Sequence, residues 1–128
     1  MGLSHPGSNN LTERLIGFAM EVHRSMGPGL LESTYEECLS IELEMAELAF
    51  DRQALLPVIY KGRELKGFYR PDLIVESAVI IEVKAVETLH AVHRAQLLTY
   101  LKHSGINVGL LFNFNSDLLK NGMLRVSL

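Results

Sequence analysis

The sequence has little cysteine, no long apolar run and no surplus of positive charge, and each shortage narrows what the chain is. Its one thiol, Cys38, has no second cysteine to pair with, which excludes a scaffold stapled by internal disulfides. No apolar stretch approaches the roughly 18 residues that a membrane span requires. The opening residues MGLSHPGSNN have neither a basic start nor an apolar core, so they do not read as a secretion signal. The expected compartment is the cytoplasm. Twelve Lys and Arg stand against fifteen Asp and Glu, a net charge of −3. Proteins that hold nucleic acid by bulk charge have a pI above about 9. Here any grip on a phosphate backbone has to come from a local basic patch or a metal ion.

What is present is the composition of a folded domain, 48% hydrophobic and 21% charged over 128 residues. Residues 1–10 are polar and read as a flexible tail, and residues 11–128 read as a single domain. Asn10 and Glu13 resemble a capping box, and Leu11, Leu15, Phe18, Ala19, Val22 and Met26 follow at helical spacing. Gly27-Pro28-Gly29 ends that helix. A second helix is expected from Leu30 to Ala49, with Leu31, Tyr35, Cys38, Leu39, Leu43 and Ala46 inward and Glu36, Glu37, Glu44 and Glu47 outward. Strands are expected over Leu56–Tyr60, Glu64–Val75 and Val79–Lys84, with turns at Lys61-Gly62 and at residues 76–78. Pro57 lacks a ladder donor and belongs at an edge or a strand start. A helix then runs from His90 to Ser104 and stops at Gly105. The continuous apolar run Val108–Phe114 predicts a strand covered on both faces, and Leu124–Val126 an edge strand. The fold class is α/β, a mixed sheet of four or five strands flanked by helices.

The chemistry concentrates between residues 67 and 84. Side chains alternate along a strand, so Glu82 and Lys84 point one way and Ile81 and Val83 the other. A loop at 76–78 pairs Val75 with Val79, and the same register sets Asp72 opposite Glu82. It also gathers Leu73, Val75, Val79, Ile81 and Val83 on the core face, and a slip by one residue would mix charged and apolar side chains on both. Two opposed carboxylates repel unless a cation lies between them. A hard ion such as Mg²⁺ takes one or two carboxylates plus waters and phosphate oxygens, and the Val83 carbonyl is a further oxygen nearby. Lys84 is placed to orient or deprotonate a water, or to offset charge developing at phosphorus. The chemistry this suggests is metal-assisted phosphodiester hydrolysis. Against it, Glu-Val-Lys alone is ordinary strand alternation.

Other residues add to the constellation. His93, Gln96 and Tyr100 share one helix face, either as a solvated stripe or as a flank to the metal site that touches a phosphate or base. Glu32, in the first turn of its helix, is either a favourable charge for the dipole or a third metal carboxylate. A zinc site from His90, His93 and His103 lacks a matching Cys or carboxylate pair. Cys38, Tyr35 and Tyr69 read as packing residues, and His23 as a cap for the carbonyls at the end of its helix.

These residues also carry a family likeness. Gly29, Glu32 and Tyr35, with Pro71-Asp72 and Glu82-Val83-Lys84, and with Gln96 and Tyr100 as a QxxxY motif, resemble the GxxExxY family. That is a small bacterial and archaeal group of the PD-(D/E)XK nuclease superfamily, in its RecB-like branch. The resemblance covers residues 11–128 and implies a restriction-endonuclease-like core of αβββαβ topology. It implies Mg²⁺ or Mn²⁺ as cofactor, held by Glu32, Asp72 and Glu82, with Lys84 in catalysis and Gln96 and Tyr100 in substrate binding or site support.

The three carboxylates and Lys84 sum to −2, which one divalent cation neutralises, leaving −1 for the rest of the chain. Arg63, Lys66, Arg70 and Arg94 are the cations expected at the mouth of the cleft, with Arg70 and His93 as candidate substrate contacts. So few phosphate contacts predict weak, salt-sensitive binding, strengthened by a homodimer or a partner protein. The function expected is a divalent-metal-dependent nuclease acting on nucleic acid, DNA first, through a water activated at the metal. The alternative is a binding or assembly module that keeps the fold with little or no turnover.

Overall fold

A computed structural model describes residues 6–128 of the chain. Helix α1 spans Pro6–Met26 and buries Leu11, Leu15, Ala19 and Val22. It starts four residues ahead of the expected Asn10 cap. Proline suits a first helical turn, where its missing N–H would have no partner. Residues 6–10 of the expected tail are therefore helical, and residues 1–5 lie outside the described ones. Gly27, at φ 70°, ends α1 and donates its N–H to the His23 carbonyl at 2.8 Å.

Helix α2 spans Glu32–Met45, four residues shorter at its C-terminus than the spacing predicts. The stop is a Schellman turn with Glu47 in the left-handed position at φ 58°. Leu48 N–H bonds the Leu43 carbonyl and Glu47 N–H the Glu44 carbonyl, both at 3.0 Å. No glycine marks that turn, so the sequence does not announce it. Strand β1, Phe50–Arg52, follows where helix or loop is expected.

The remaining elements are β2 (Leu56–Tyr60), β3 (Arg63–Tyr69), β4 (Leu73–Val75), β5 (Val79–Lys84), α3 (Ala91–Ser104), β6 (Val108–Asn113), a 3₁₀ turn at Leu119–Gly122 and β7 (Met123–Ser127). Five strands form one sheet in the order β1-β4-β5-β6-β7, antiparallel except for the parallel β5–β6 pair. The β4–β5 register pairs Val75 with Val79 and Leu73 with Ile81, as the alternation predicts. The expected strand Glu64–Val75 is broken in two. Pro71 has no N–H and keeps Arg70 out of the helical region, so the chain turns there and leaves the sheet plane. As a result β2 and β3 pair only with each other in a separate two-stranded sheet.

Helices α1 and α2 cover one face of the five-stranded sheet through Tyr35, Leu39, Leu43, Leu73, Val75, Ile81, Val83 and Phe112. Helix α3 covers the other through Leu97, Tyr100 and Leu101 against Ile80, Leu111 and Val126. Every residue of β6 is buried, as expected for a strand with helices on both sides. Gly109 lets α3 approach closely: a Cβ there would lie 2.7 Å from Leu97 Cδ1. Taken without the β2–β3 hairpin, α2 through β6 runs helix, three antiparallel strands, helix, strand, the restriction-endonuclease-like order, with α1 added before it and β7 after. Among the described residues, no helix is long and apolar enough to cross a membrane.

Candidate active site

Strand β4 begins at Leu73, whereas β5 continues to Lys84, so the last residues of β5 have no ladder partner on the β4 side. Asp72 fills that notch. Its Oδ2 accepts the Val83 N–H at 2.8 Å, and its own N–H donates to Glu82 Oε2 at 2.8 Å. The two carboxylates expected in opposition are thus locked together by each other's strand. On the far side of β5 the Lys84 carbonyl accepts from Phe114 N–H at 2.9 Å. Carbonyls alternate edges along a strand, so the Val83 carbonyl faces the Asp72 side.

Glu82 is 3% exposed. Burial pushes its carboxyl up to about 8, and the neighbouring Asp72 charge adds to the rise, against a lowering by the Asp72 N–H and by Lys84. Asp72 is raised too, first by burial, with the Val83 N–H opposing and the Glu36 charge adding. Lys84 is half-buried on the Glu82 face, and its charge lowers both acids. Tyr100 is buried on α3, with its hydroxyl hydrogen-bonded by Gln96. Burial, then the charges of Glu82 and Asp72, push that hydroxyl up to about 12. Tyr69 rests against it, with ring centroids 5.4 Å apart.

Three residues at this site escaped the sequence reading. Glu36, expected on the solvated side of α2, is buried. Arg52 from β1 reaches its Oε2 through Nε at 3.1 Å and through the terminal guanidinium nitrogen at 3.0 Å. Gln53 donates its amide to Glu36 Oε1 at 2.7 Å and to Asp72 Oδ1 at 3.1 Å. Its backbone N–H bonds the Asp72 carbonyl at 3.0 Å. Gln53 therefore ties α2 to the Asp72 notch, from a left-handed backbone at φ 53°. The signal available was Glu36 itself, one turn beyond Glu32. What it lacked was β1, which brings the arginine.

The other expected residues stand around this centre. Glu32 is exposed and accepts the Ala85 N–H at 3.1 Å, just beyond Lys84. Arg70 is exposed two residues before Asp72. His93 sits at the start of α3, its Nδ1 accepting the His90 N–H at 2.9 Å. His103, near the other end of α3, packs on Tyr69. Tyr35 is fully buried and stacks on Phe114, and its hydroxyl donates to the Gly27 carbonyl and accepts the Leu30 N–H, pinning the Gly27–Leu30 loop. Instead of capping its own helix, His23 bonds through Nε2 to the Ser116 carbonyl at 2.7 Å. Asn113, buried at the end of β6, holds Val86 through both its N–H and its carbonyl.

Among the described residues no group of three or more His, Cys, Asp and Glu side chains converges as metal ligands. Asp72 and Glu82 are two. Glu36 is engaged by Arg52 and Gln53, and Glu32 by Ala85. Two carboxylates and a carbonyl are an all-oxygen set, which fits a hard cation that keeps several waters and unsuits a thiolate- or imidazole-seeking metal.

A sheet of this order, with an acid before β4, an Asp/Glu-x-Lys at the end of β5 and a Gln–Tyr pair on the next helix, defines a restriction-endonuclease-like nuclease fold. The family description "PD-(D/E)XK nuclease superfamily" matches residues 9–126, and the chain belongs to that superfamily. No curated protein matches it.

Proposed function

We propose that the chain is a divalent-cation-dependent nuclease, acting on DNA in the cytoplasm, with Asp72, Glu82 and Lys84 as its catalytic set. One observation carries the reading. A buried Glu82 and a part-buried Asp72 are tied by reciprocal backbone hydrogen bonds at the open end of β5, and burial with the Asp72 charge raises the Glu82 carboxyl, a pairing that a bound cation would offset.

The residues that would hold Mg²⁺ or Mn²⁺ are Asp72, Glu82 and the Val83 carbonyl, with Glu32 at the rim beside Ala85. Such an ion supplies Lewis acidity to a phosphate and acidifies a coordinated water. Lys84, on the Glu82 face, orients the attacking water and offsets charge gathering on the phosphate oxygens. Gln53 keeps Asp72 aimed by its amide, and Arg52 pairs with Glu36 and offsets part of the negative charge that Glu36 adds to the notch. Tyr100, tied by Gln96, keeps a neutral hydroxyl beside the acids and donates to a phosphate oxygen or a water. Cutting both strands of a duplex would take two copies of so small a site.

The test is cleavage of plasmid and of a single-stranded oligonucleotide with Mg²⁺ or Mn²⁺, wild type beside Glu82→Ala. Metal-dependent cleavage lost in the variant supports the reading. A folded wild type that cuts neither substrate in excess metal would sink it and favour the assembly module.

A further inference from the structure

Between Gln53 and Asp72 the chain leaves the main sheet, forms the β2–β3 hairpin and returns. The base of this excursion is closed by Gln53, which bonds Asp72 through both backbone and side chain. The hairpin is thus rooted on the candidate catalytic acid. Among the described residues it pairs with no other strand, and it lies along α3 by way of β2: Leu56 and Tyr69 pack there, and Ile59 N–H reaches His103 Nδ1 at 3.4 Å. At the tip and along β3 the large side chains are in water, with Tyr60 61%, Phe68 55% and Leu65 49% exposed.

Its charge is opposite to that of the chain. Lys61, Arg63, Lys66 and Arg70 stand against Glu64 alone, so this segment carries +3 in a protein of net −3. All four cations are exposed, and Lys61 Nζ lies over the Tyr60 ring, 5.4 Å from its centroid. Phe68 pairs with Pro57 and Arg63 with Tyr60 across the ladder, and a bulge opposite Val58 takes up Leu65, Lys66 and Gly67. The ladder thus sets Arg63 opposite Tyr60, beside Lys61, and Lys66 lies two residues before Phe68. Four cations in so small a patch would repel a second copy of themselves. They suit a polyanion, and rings left in water suit one whose bases are unpaired.

We propose that the β2–β3 hairpin is a strand-binding wing that grips unpaired nucleic acid next to Asp72. Phe68 and Tyr60 stack on bases, and Lys61, Arg63, Lys66 and Arg70 hold the backbone. This rests on the nuclease reading and adds to it the form of substrate and the element that binds it.

The test is binding of a fluorescent single-stranded oligonucleotide by anisotropy in EDTA, where cutting is silent, alongside cleavage in Mg²⁺. The doubly substituted Arg63→Glu/Lys66→Glu protein should bind at least tenfold more weakly and with a shallower salt dependence, by about 0.7 in log–log slope per cation lost. Phe68→Leu keeps the apolar bulk without the ring and should weaken binding about tenfold, whereas Phe68→Trp should retain it. Lys120→Glu, an exposed charge reversal outside the hairpin, should stay within twofold. A duplex of equal length should bind more weakly than the single strand. Hairpin variants that bind like wild type while wild type cuts would overturn the wing and leave the nuclease standing. Tighter binding of duplex, or a dimer that the hairpin substitutions dissociate, would also overturn it. A folded wild type that neither binds nor cuts would defeat both.

Discussion

The five-stranded sheet and the β2–β3 hairpin use similar residues to opposite ends. Both carry large apolar side chains on strands, yet Val79, Ile81, Leu110 and Phe112 are fully buried while Leu65, Phe68 and Tyr60 stay in water. In the sheet, helices cover both faces and the polar groups that enter are tied: Glu82 takes the Asp72 N–H, and Glu36 takes Arg52 and Gln53. In the hairpin β2 is partly covered by α3 while β3 up to Phe68 is exposed, and the cations are left in water. Strand-forming residues therefore specify strand in both, and what packs on it decides burial. The candidate site lies at the seam, where Gln53 and Asp72 join the dry sheet to the wet hairpin.

The largest effects should come from that seam. Asp72→Asn and Glu82→Gln are expected to abolish metal-dependent cleavage while the fold survives. Lys84→Ala should lower the cleavage rate by about 10²–10⁴-fold with little change in oligonucleotide affinity. Rates measured beside circular dichroism would show whether activity and fold separate.

Stability should divide the two regions next. Leu110→Ala opens a cavity in the sheet core and should cost roughly 2–5 kcal/mol, whereas Leu65→Ala in the hairpin should stay within about 0.5 kcal/mol. Urea titrations of the two variants measure this directly, and equal costs would break the comparison.

A pH dependence follows from Glu82. Its carboxyl keeps a proton in the fold up to about 8, against an ordinary value of 4.5. Between those two values the folded chain holds a proton that the unfolded chain has released. Stability of the metal-free protein should therefore fall as pH rises from about 4.5 to about 8 and level off above, by something on the order of a few kcal/mol. The raised Asp72 acts in the same direction. Thermal melts should show the decline in wild type and a flatter profile in Glu82→Gln.

Arg52→Ala should do less, about 1–2 kcal/mol, because Arg52 is partly in solvent although its partner Glu36 is not. Restoration of stability by Glu36→Gln in the same chain would confirm that the loss is an unbalanced charge. An unchanged melting temperature in Arg52→Ala would argue that water already screens the pair.

Much of this was legible in the sequence because it depends on strand alternation. The β4–β5 register and the facing of Asp72 and Glu82 follow from period-two patterning around a short loop, and β6 from its continuous apolar run. Tyr100 was legible as a position but ambiguous in role, since a Gln–Tyr stripe reads equally well as solvated. Glu36 was not legible. Five acids of α2 look alike in sequence, and only β1, reached through a Schellman turn without glycine, supplies the arginine that lets one of them be buried. The separation of β2 and β3 from the main sheet was hidden for a related reason. Pro71 interrupts a run whose residues otherwise continue the strand pattern, and periodicity does not report which strand a residue pairs with.

The most direct test of the central claim is Mn²⁺ titration by calorimetry at pH 7, in two buffers of different ionisation enthalpy. If Asp72 and Glu82 together hold the cation, binding should expel the Glu82 proton, giving a buffer-dependent heat equal to nearly one proton per ion. That proton should vanish at pH 9, and Glu82→Gln should lose most of the affinity. Wild-type and Glu82→Gln proteins that bind Mn²⁺ alike with no proton released, or a folded wild type that binds none, would contradict the account.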